Sequence, residues 1–296
     1  MPTESLATTQ TVKVNPKAQG KAILITGCST GIGQVAALYL HQRGYQVIAS
    51  VRKHADIAPL KKQGLPHVIQ LDLRDSNSID LAVEKTLEIC QGNLFALFNN
   101  GAYGQPGAVE DLTRDILREQ FETNLFGVHE LTTKLLPSML AQDDARIIQN
   151  SSILGFAAMP MRGAYNASKF ALEGLTDTLR LELKGSSIKI SLIEPGPIAT
   201  NFRENALEAL TRNVDFAGSR HKVAYEKSVA RLTSKSAPTP FTLPSMAVVK
   251  KLEHALTAKR PKARYYVTVP TYLFAFLRHI LPTRWLDKIS IAAAGA

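Results

Sequence analysis

The segment TGCSTGIG at residues 26–33 sits directly after the apolar run KAILIT (21–26) and directly before a stretch of helical period, and it constrains the fold more than any other part of the chain. Gly27, Gly31 and Gly33 let the backbone turn sharply and approach a ligand closely. The helix that opens at Ile32 then offers its free N–H groups and the positive end of its dipole to an anion. Strand, glycine turn and helix in this order form the βα unit that cradles a pyrophosphate. Ser29 and Thr30 add hydroxyl donors to the same turn. The plain alternative is a glycine-rich turn without a ligand, and Cys28 reads as a small packed residue rather than a reactive thiol. Residues 22–42 carry no formal charge, yet glycine, serine and threonine interrupt them, which is wrong for a membrane-spanning helix.

From residue 21 onward short β-branched runs alternate with helical segments, the mark of βαβ units and a parallel sheet. After KAILIT, the runs QVIAS (46–50), HVIQL (67–71), FALFN (95–99), RIIQNS (146–151) and KISLIE (189–194) read as strands. Helices are expected over 32–43, with Gly44 as the cap, over 76–89, as one long element over 116–140, and over 164–183. The fold class is therefore α/β, a single doubly wound parallel sheet of about seven strands with helices on both faces. Residues 197–243 mix basic, polar and scattered apolar residues and read as a mobile lid that sets specificity. A helix over 244–256, a seventh strand at YYVTV (265–269) and a helical extension over 271–296 complete the chain. Residues 1–20 are polar, lack the apolar core of a signal peptide and read as a flexible tail.

With 45% hydrophobic and 20% charged residues, disorder is excluded. Lys and Arg number 35 against 25 Asp and Glu, a net charge of +10 that favours phosphorylated cofactors, acidic lipids or nucleic acid. No nucleic-acid reading motif accompanies the charge, so nucleic acid is not an expected partner. Cys28 and Cys90 form no CxxC pair and no cluster with histidine, so no metal is expected and a reducing, cytoplasmic setting fits. The stretch TYLFAFLRHILPTRWL (271–286) can rest on an anionic membrane, pack on the sheet, or meet a second copy of the chain in a homo-oligomer.

Candidate chemistry lies in YNASK, where Tyr165 and Lys169 stand four apart on one helix face. An adjacent ammonium can lower a phenol's pKa by about 3 units, which takes roughly 4 kcal/mol. Ser152 follows the RIIQNS strand at its carboxyl end, where parallel sheets bind ligands, and Asn124 lies in ETNLFG of the preceding helix. At the end of the second strand SVRK (50–53) offers no acid for a ribose 2′-hydroxyl. Arg52, helped by Ser50 or Lys53, can instead neutralise a 2′-phosphate, or these are solvated surface charges. Asp72, closing the third strand, can accept from an adenine amino group or cap the following turn. Phe156, Phe202, Met159 and Tyr103 surround the presumed pocket, and core packing explains each equally well.

These four separated motifs resemble the short-chain dehydrogenase/reductase family over nearly all of residues 21–269. TGxxxGxG falls on 26–33, the catalytic Asn on Asn124, the Ser on Ser152 and YxxxK on Tyr165 and Lys169. The resemblance implies a Rossmann-type domain that binds NADP(H) in preference to NAD(H), with Asn100, Pro195, Gly196, Ile198 and Thr200 joining the cofactor site. Ser152 would bind the substrate carbonyl, and Tyr165 would act as general acid or base. Lys169 would lower the Tyr165 pKa and bind ribose, and Asn124 would hold a relay water. The strings are closest to bacterial NADP-dependent aldehyde reductases and the hydroxysteroid dehydrogenase-like branch. The implied substrate is a hydrophobic aldehyde, ketone or alcohol, with a steroid- or retinoid-type alcohol dehydrogenase and a non-catalytic dinucleotide sensor as alternatives. The family's Asn-Asn-Ala-Gly appears here as Asn99, Asn100, Gly101, Ala102, which predicts a turn shifted by one residue or a strained φ at Ala102.

Overall fold

Every residue of β1 (Ala22–Ile25) is buried, as an apolar strand covered on both faces must be. The computed structural model describes residues 14–16, 18–233 and 241–294. The strands β2 (Gln46–Val51), β3 (His67–Gln70), β4 (Leu94–Asn99), β5 (Ala145–Asn150) and β6 (Ile188–Glu194) follow the expected runs within a residue or two. Two-residue strands β7 (Ile198–Ala199) and β8 (Leu243–Pro244) pair only with each other. With β9 (Arg264–Tyr266) the main sheet has the order β3-β2-β1-β4-β5-β6-β9, and all its pairs are parallel. The chain winds outward through β2 and β3 and then restarts at β4 on the other side of β1. This reversal opens a crevice at the carboxyl ends of β1 and β4.

The helices are α1 (Gly31–Gln42), α2 (Ile57–Lys62), α3 (Ser76–Ile89), α4 (Arg114–Phe121), α5 (Gly127–Leu140), α6 (Gly163–Glu182), α7 (Phe202–Asn213), α8 (Lys222–Thr233), α9 (Met246–Thr257), α10 (Val269–Ile280) and α11 (Thr283–Ala294). α1 and α9 cover one face of the sheet with Ala36, Leu40, Val248 and Leu252. α3, α5 and α6 cover the other with Ile79, Leu131, Leu135 and Leu172. Gly44, at φ +98°, ends α1 as expected. Asp75 starts α3 by accepting from the Asn77 N–H.

Four expectations change. The single helix over 116–140 is two helices joined by a π-turn at Glu122–Phe126, whose extra residue re-aims Asn124. The run 265–269 is not all strand: β9 stops at Tyr266, and Pro270 presets the helical φ that begins α10 at Val269. Residues 197–243 are not a loose lid. Ala206, Leu210, Tyr225 and Leu232 recur at helical intervals and pack α7 and α8 onto Ala108, Leu112, Ile116 and Ala164, while residues 234–240 lie outside the described residues. The Tyr225 hydroxyl ties this unit down, accepting from the Ala108 N–H at 2.9 Å and donating to Asp111 at 2.8 Å. Finally, part of the tail is packed: Ala18 is fully buried, and the Asn15 N–H donates to the Arg43 carbonyl at 3.0 Å. Residues 1–13 lie outside the described residues.

Candidate active site

The glycine turn comes to the crevice with its backbone held rather than loose. The Asn100 side-chain amide donates to the carbonyls of Thr26 at 2.9 Å and Gly27 at 3.2 Å, and its oxygen accepts from Asn150 at 2.9 Å. Asn100 thus positions the turn. A Cβ on Gly33 would lie 2.2 Å from the Gly27 carbonyl oxygen, and one on Gly27 would lie 2.7 Å from Gly101 Cα. The exchanged pair is accommodated there: Gly101 supplies the close approach, its N–H donates to Thr26 Oγ1 at 2.8 Å, and Ala102 keeps a negative φ. Gly31 takes φ +62° and faces the side chain of Thr200.

This turn fits a dinucleotide. Thr30, the N-cap of α1, is extended and forms no side-chain cap, and no acid occupies the first helical turn beside Ser29, Thr30 and Ile32. The N–H groups there are left for an oxyanion. At the end of β2, Arg52 and Lys53 are exposed, whereas Ser50 is buried and so does not serve as their helper. Asp72 lies in the turn after β3, not within it. Its carboxylate accepts from the Arg74 N–H at 3.0 Å and from the guanidinium at 3.1 Å. Partial burial pushes its pKa up, but Arg74 outweighs this and holds it below the usual range. Asp72 is therefore placed as the turn cap. On the opposite wall, the Pro195 carbonyl accepts from the Ile153 N–H at 2.8 Å. Gly196 packs against Thr268, where a Cβ would lie 2.1 Å from its hydroxyl. Ile198 stands in β7.

Ser152, Tyr165 and Lys169 converge beyond the carboxyl end of β5. Ser152 Oγ accepts from the Leu154 N–H at 3.1 Å and points to the Pro195 carbonyl at 3.5 Å. The half-buried Tyr165 ring meets Phe202 edge-on, with centroids 5.4 Å apart. Lys169 Nζ lies 5.8 Å from the Tyr165 ring centroid and donates to the Asn150 carbonyl at 2.7 Å. Burial pushes the Tyr165 phenol up to about 12, with a hydrogen bond from Ser152 pulling the other way. Burial also pushes the Lys169 ammonium down to about 8, against the pull of Glu173. The expected lowering of the phenol by Lys169 is thus absent in this arrangement, because desolvation dominates both groups and the ammonium is turned to a neutral carbonyl.

Asn124, buried in the π-turn, donates to the Tyr103 carbonyl at 2.9 Å and to Ser168 at 3.2 Å, and accepts from the Tyr103 N–H at 3.1 Å. Both its amide hydrogens are committed, so its side chain braces the wall of the site. Phe156 falls on the packing side of its two readings: it is buried edge-on to Tyr266 at 5.9 Å beneath the Arg278 guanidinium. Phe202 lies in the site.

Sequence reading missed the support behind this group. Glu173 lies one turn beyond Lys169 on α6, accepts from Ser151 Oγ at 2.6 Å and pairs with Arg264 at 2.5 Å. Arg264 also holds Glu194 and, at 2.6 Å, Asp177. Burial and the neighbouring Glu173 push Glu194 up to about 8 although Arg264 opposes them. Three carboxyl groups share one guanidinium, and their crowding favours a proton on Glu194. The spacing Tyr165, Lys169, Glu173 was visible in the sequence, but nothing local marks Arg264. No cluster that could hold a metal ion is found among the described residues, nor is any helix there long and apolar enough to cross a membrane.

A parallel sheet that reverses at a glycine turn, with a Ser, Tyr and Lys group beside it, defines an oxidoreductase that uses a nicotinamide dinucleotide on CH–OH groups. Residues 21–211 match the short chain dehydrogenase model, and the chain belongs to the short-chain dehydrogenase/reductase family. It is similar to the uncharacterized oxidoreductase YbbO of Escherichia coli, 41% identical over 92% of this chain and 95% of that protein. It is also similar to an NADPH-dependent 3-dehydrocapnine reductase of Ornithobacterium rhinotracheale, 33% identical over 90% and 94% of the two chains. Among solved structures, a short chain dehydrogenase/reductase from Burkholderia phymatum in complex with NAD shares the fold, with TM-score 0.74, 23% identity and coverage of 88% and 93%.

Proposed function

We propose that this chain is an NADP(H)-dependent reductase of apolar aldehydes or ketones, working toward the alcohol. The observation that carries this reading is the convergence of Ser152, Tyr165 and Lys169 at the cleft. Arg52, in place of an acid at the end of β2, supports the phosphorylated cofactor. The NADPH-dependent relative named above points the same way.

When bound, the nicotinamide supplies the hydride. Ser152 donates to the carbonyl oxygen and orients it. A phenol with a pKa of about 12 is protonated at neutral pH, so Tyr165 is set to give its proton to that oxygen as negative charge develops. Lys169 keeps two hydrogens beyond the one donated to Asn150, and with them would hold the ribose. Asn124 fixes the Tyr103–Gly104 main chain, which runs beside the Tyr165 ring. Phe202 closes the pocket with an apolar face.

The test is titration of the protein with NADPH and NADH, followed by NADPH oxidation with linear and aromatic aldehydes, ketones and steroids. Tighter NADPH binding with turnover of apolar carbonyls is expected, and binding of neither dinucleotide overturns the reading. Arg52→Asp should move the kcat/KM ratio toward NADH by about 10–100-fold, the worth of a charge-assisted hydrogen bond. An unchanged ratio would mean that the 2′-phosphate is read elsewhere.

A second observation concerns where the enzyme works. Val269, Tyr272, Leu273, Phe276 and Ile280 are exposed on one face of α10, joined by Trp285 and Ile291 of α11, with Arg278, Arg284 and Lys288 around them. We infer that this face rests on an anionic membrane surface. Flotation with phosphatidylserine-containing vesicles should carry the wild type and leave behind Leu273→Ser/Phe276→Ser. Equal recovery of both would sink the inference, and a dimer–monomer difference by sedimentation would assign the face to a second copy.

A further inference from the structure

A cavity of about 330 Å³ opens between residues 160–162, α8 and Ala294 at the end of α11. Its charged lining is entirely basic. Arg220 and His221 share Glu110, Arg220 at 2.5 and 2.7 Å and His221 at 3.0 Å. Arg162, Lys227 and Arg231 have no carboxylate within ion-pair distance among the described residues; Arg162 reaches only the Met159 sulfur, at 3.3 Å. Burial, together with Arg231 and Arg203, pushes Arg162 down to about 10. Arg162 and Arg231 are half-buried and Lys227 is exposed; half-buried cations without a counter-charge repel one another and are relieved by an anion.

The backbone supports this placement. Met161, just before Arg162, holds φ +62°, a conformation uncommon for a bulky side chain. The chain is pinned there by the Gly107 N–H, which donates to the Met161 carbonyl at 3.0 Å. Such strain persists where surrounding structure over-determines it, and it concentrates at ligand clamps.

The cavity also adjoins the chemistry. Arg162 is the N-cap of α6, three residues before Tyr165, and Arg203 follows Phe202, whose ring meets Tyr165. We propose that this cavity takes an oxyanion of the substrate itself, a carboxylate, sulfonate or phosphate, while the same molecule's carbonyl lies at Ser152 and Tyr165. The assignment rests on the reductase reading above and narrows its substrate class to amphiphiles with an anionic head. The volume suits a head group and a few carbons rather than a folded partner.

The test pairs ω-oxo carboxylates of increasing length with their methyl esters, following NADPH oxidation by the wild type and by Lys227→Gln/Arg231→Gln. At the length that spans the two sites the acid should exceed its ester by about 10–100-fold in kcat/KM. Salt should erode that preference and the double variant should abolish it, with ester turnover unchanged. An acid no better than its ester at every length, or a preference that survives in the variant, overturns the proposal. Octyl phosphate should inhibit competitively with the aldehyde. Non-competitive inhibition would make the anion a separate ligand and also overturn it. Should the wild type reduce no carbonyl at all, the reductase reading fails on its own, and calorimetry still judges the cavity. Octyl phosphate binding more tightly than octanol, with the difference lost in the variant, upholds an anion site there, and equal affinities refute it.

Discussion

The two ends of α6 treat buried charge in opposite ways. At the cleft end, Tyr165 and Lys169 have neutral partners: the Lys169 ammonium donates to a carbonyl, and burial holds it down to about 8. One turn further along the same face, Glu173 is tied to Arg264, which also gathers Glu194 and Asp177. Burial alone would lower the Arg264 pKa, but the three carboxylates hold it well above the ordinary value. Where charge is left unpaired the helix is poised for proton transfer, and where it is paired the helix is a strut.

This contrast predicts opposite signatures. Tyr165→Phe should cut kcat by roughly 10²–10⁴-fold while NADPH affinity is kept, and Lys169→Met should also lose turnover with no loss of thermal stability, since it removes an unpaired buried charge. A fall in Tm for Lys169→Met would erase the distinction between the two ends. Arg264→Met should act the other way and cost about 3–5 kcal/mol of unfolding free energy, because it strands buried carboxylates. Urea melts would measure this, and a loss under about 1 kcal/mol, the surface-pair range, would show the cluster to be solvated.

The smallest effect is one of pH. The native state keeps a proton on Glu194 up to about pH 8, whereas an unfolded glutamate releases it near its ordinary 4.5. Between those values the native state binds more protons, so this residue's contribution makes stability fall as pH rises from about 5 to 8. Glu194→Gln should flatten that part of the profile, and an unchanged slope would mean that Glu194 is ionised throughout.

What could be read from the chain beforehand divides along the same line. The glycine turn, Ser152, Tyr165 and Lys169 sit at ends of regular elements, where the order of strand and helix fixes direction without knowledge of neighbours. Asn124 was legible as a candidate, but its engagement with Tyr103 and Ser168 depends on a π-turn that no periodicity signals. Phe156 and Phe202 looked alike in sequence. They separated because α10 packs over one and α6 presents the phenol to the other. Arg264 lies 91 residues from Glu173 and is joined to it only by the sheet order.

The two-residue ladder of β7 and β8 returns the chain, after α7 and α8, to the place where it left. An excursion clasped at its base is an exchangeable cassette. Doubling the length of such an insert adds only about 0.6 kcal/mol of closure entropy. Leu210 and Tyr225 seat it on Ala108, Leu112, Ile116 and Ala164, the patch that any replacement must also cover. Descendants of this chain can therefore trade one cassette for another and acquire new substrate ranges while the Ser152–Tyr165–Lys169 floor beneath stays as it is.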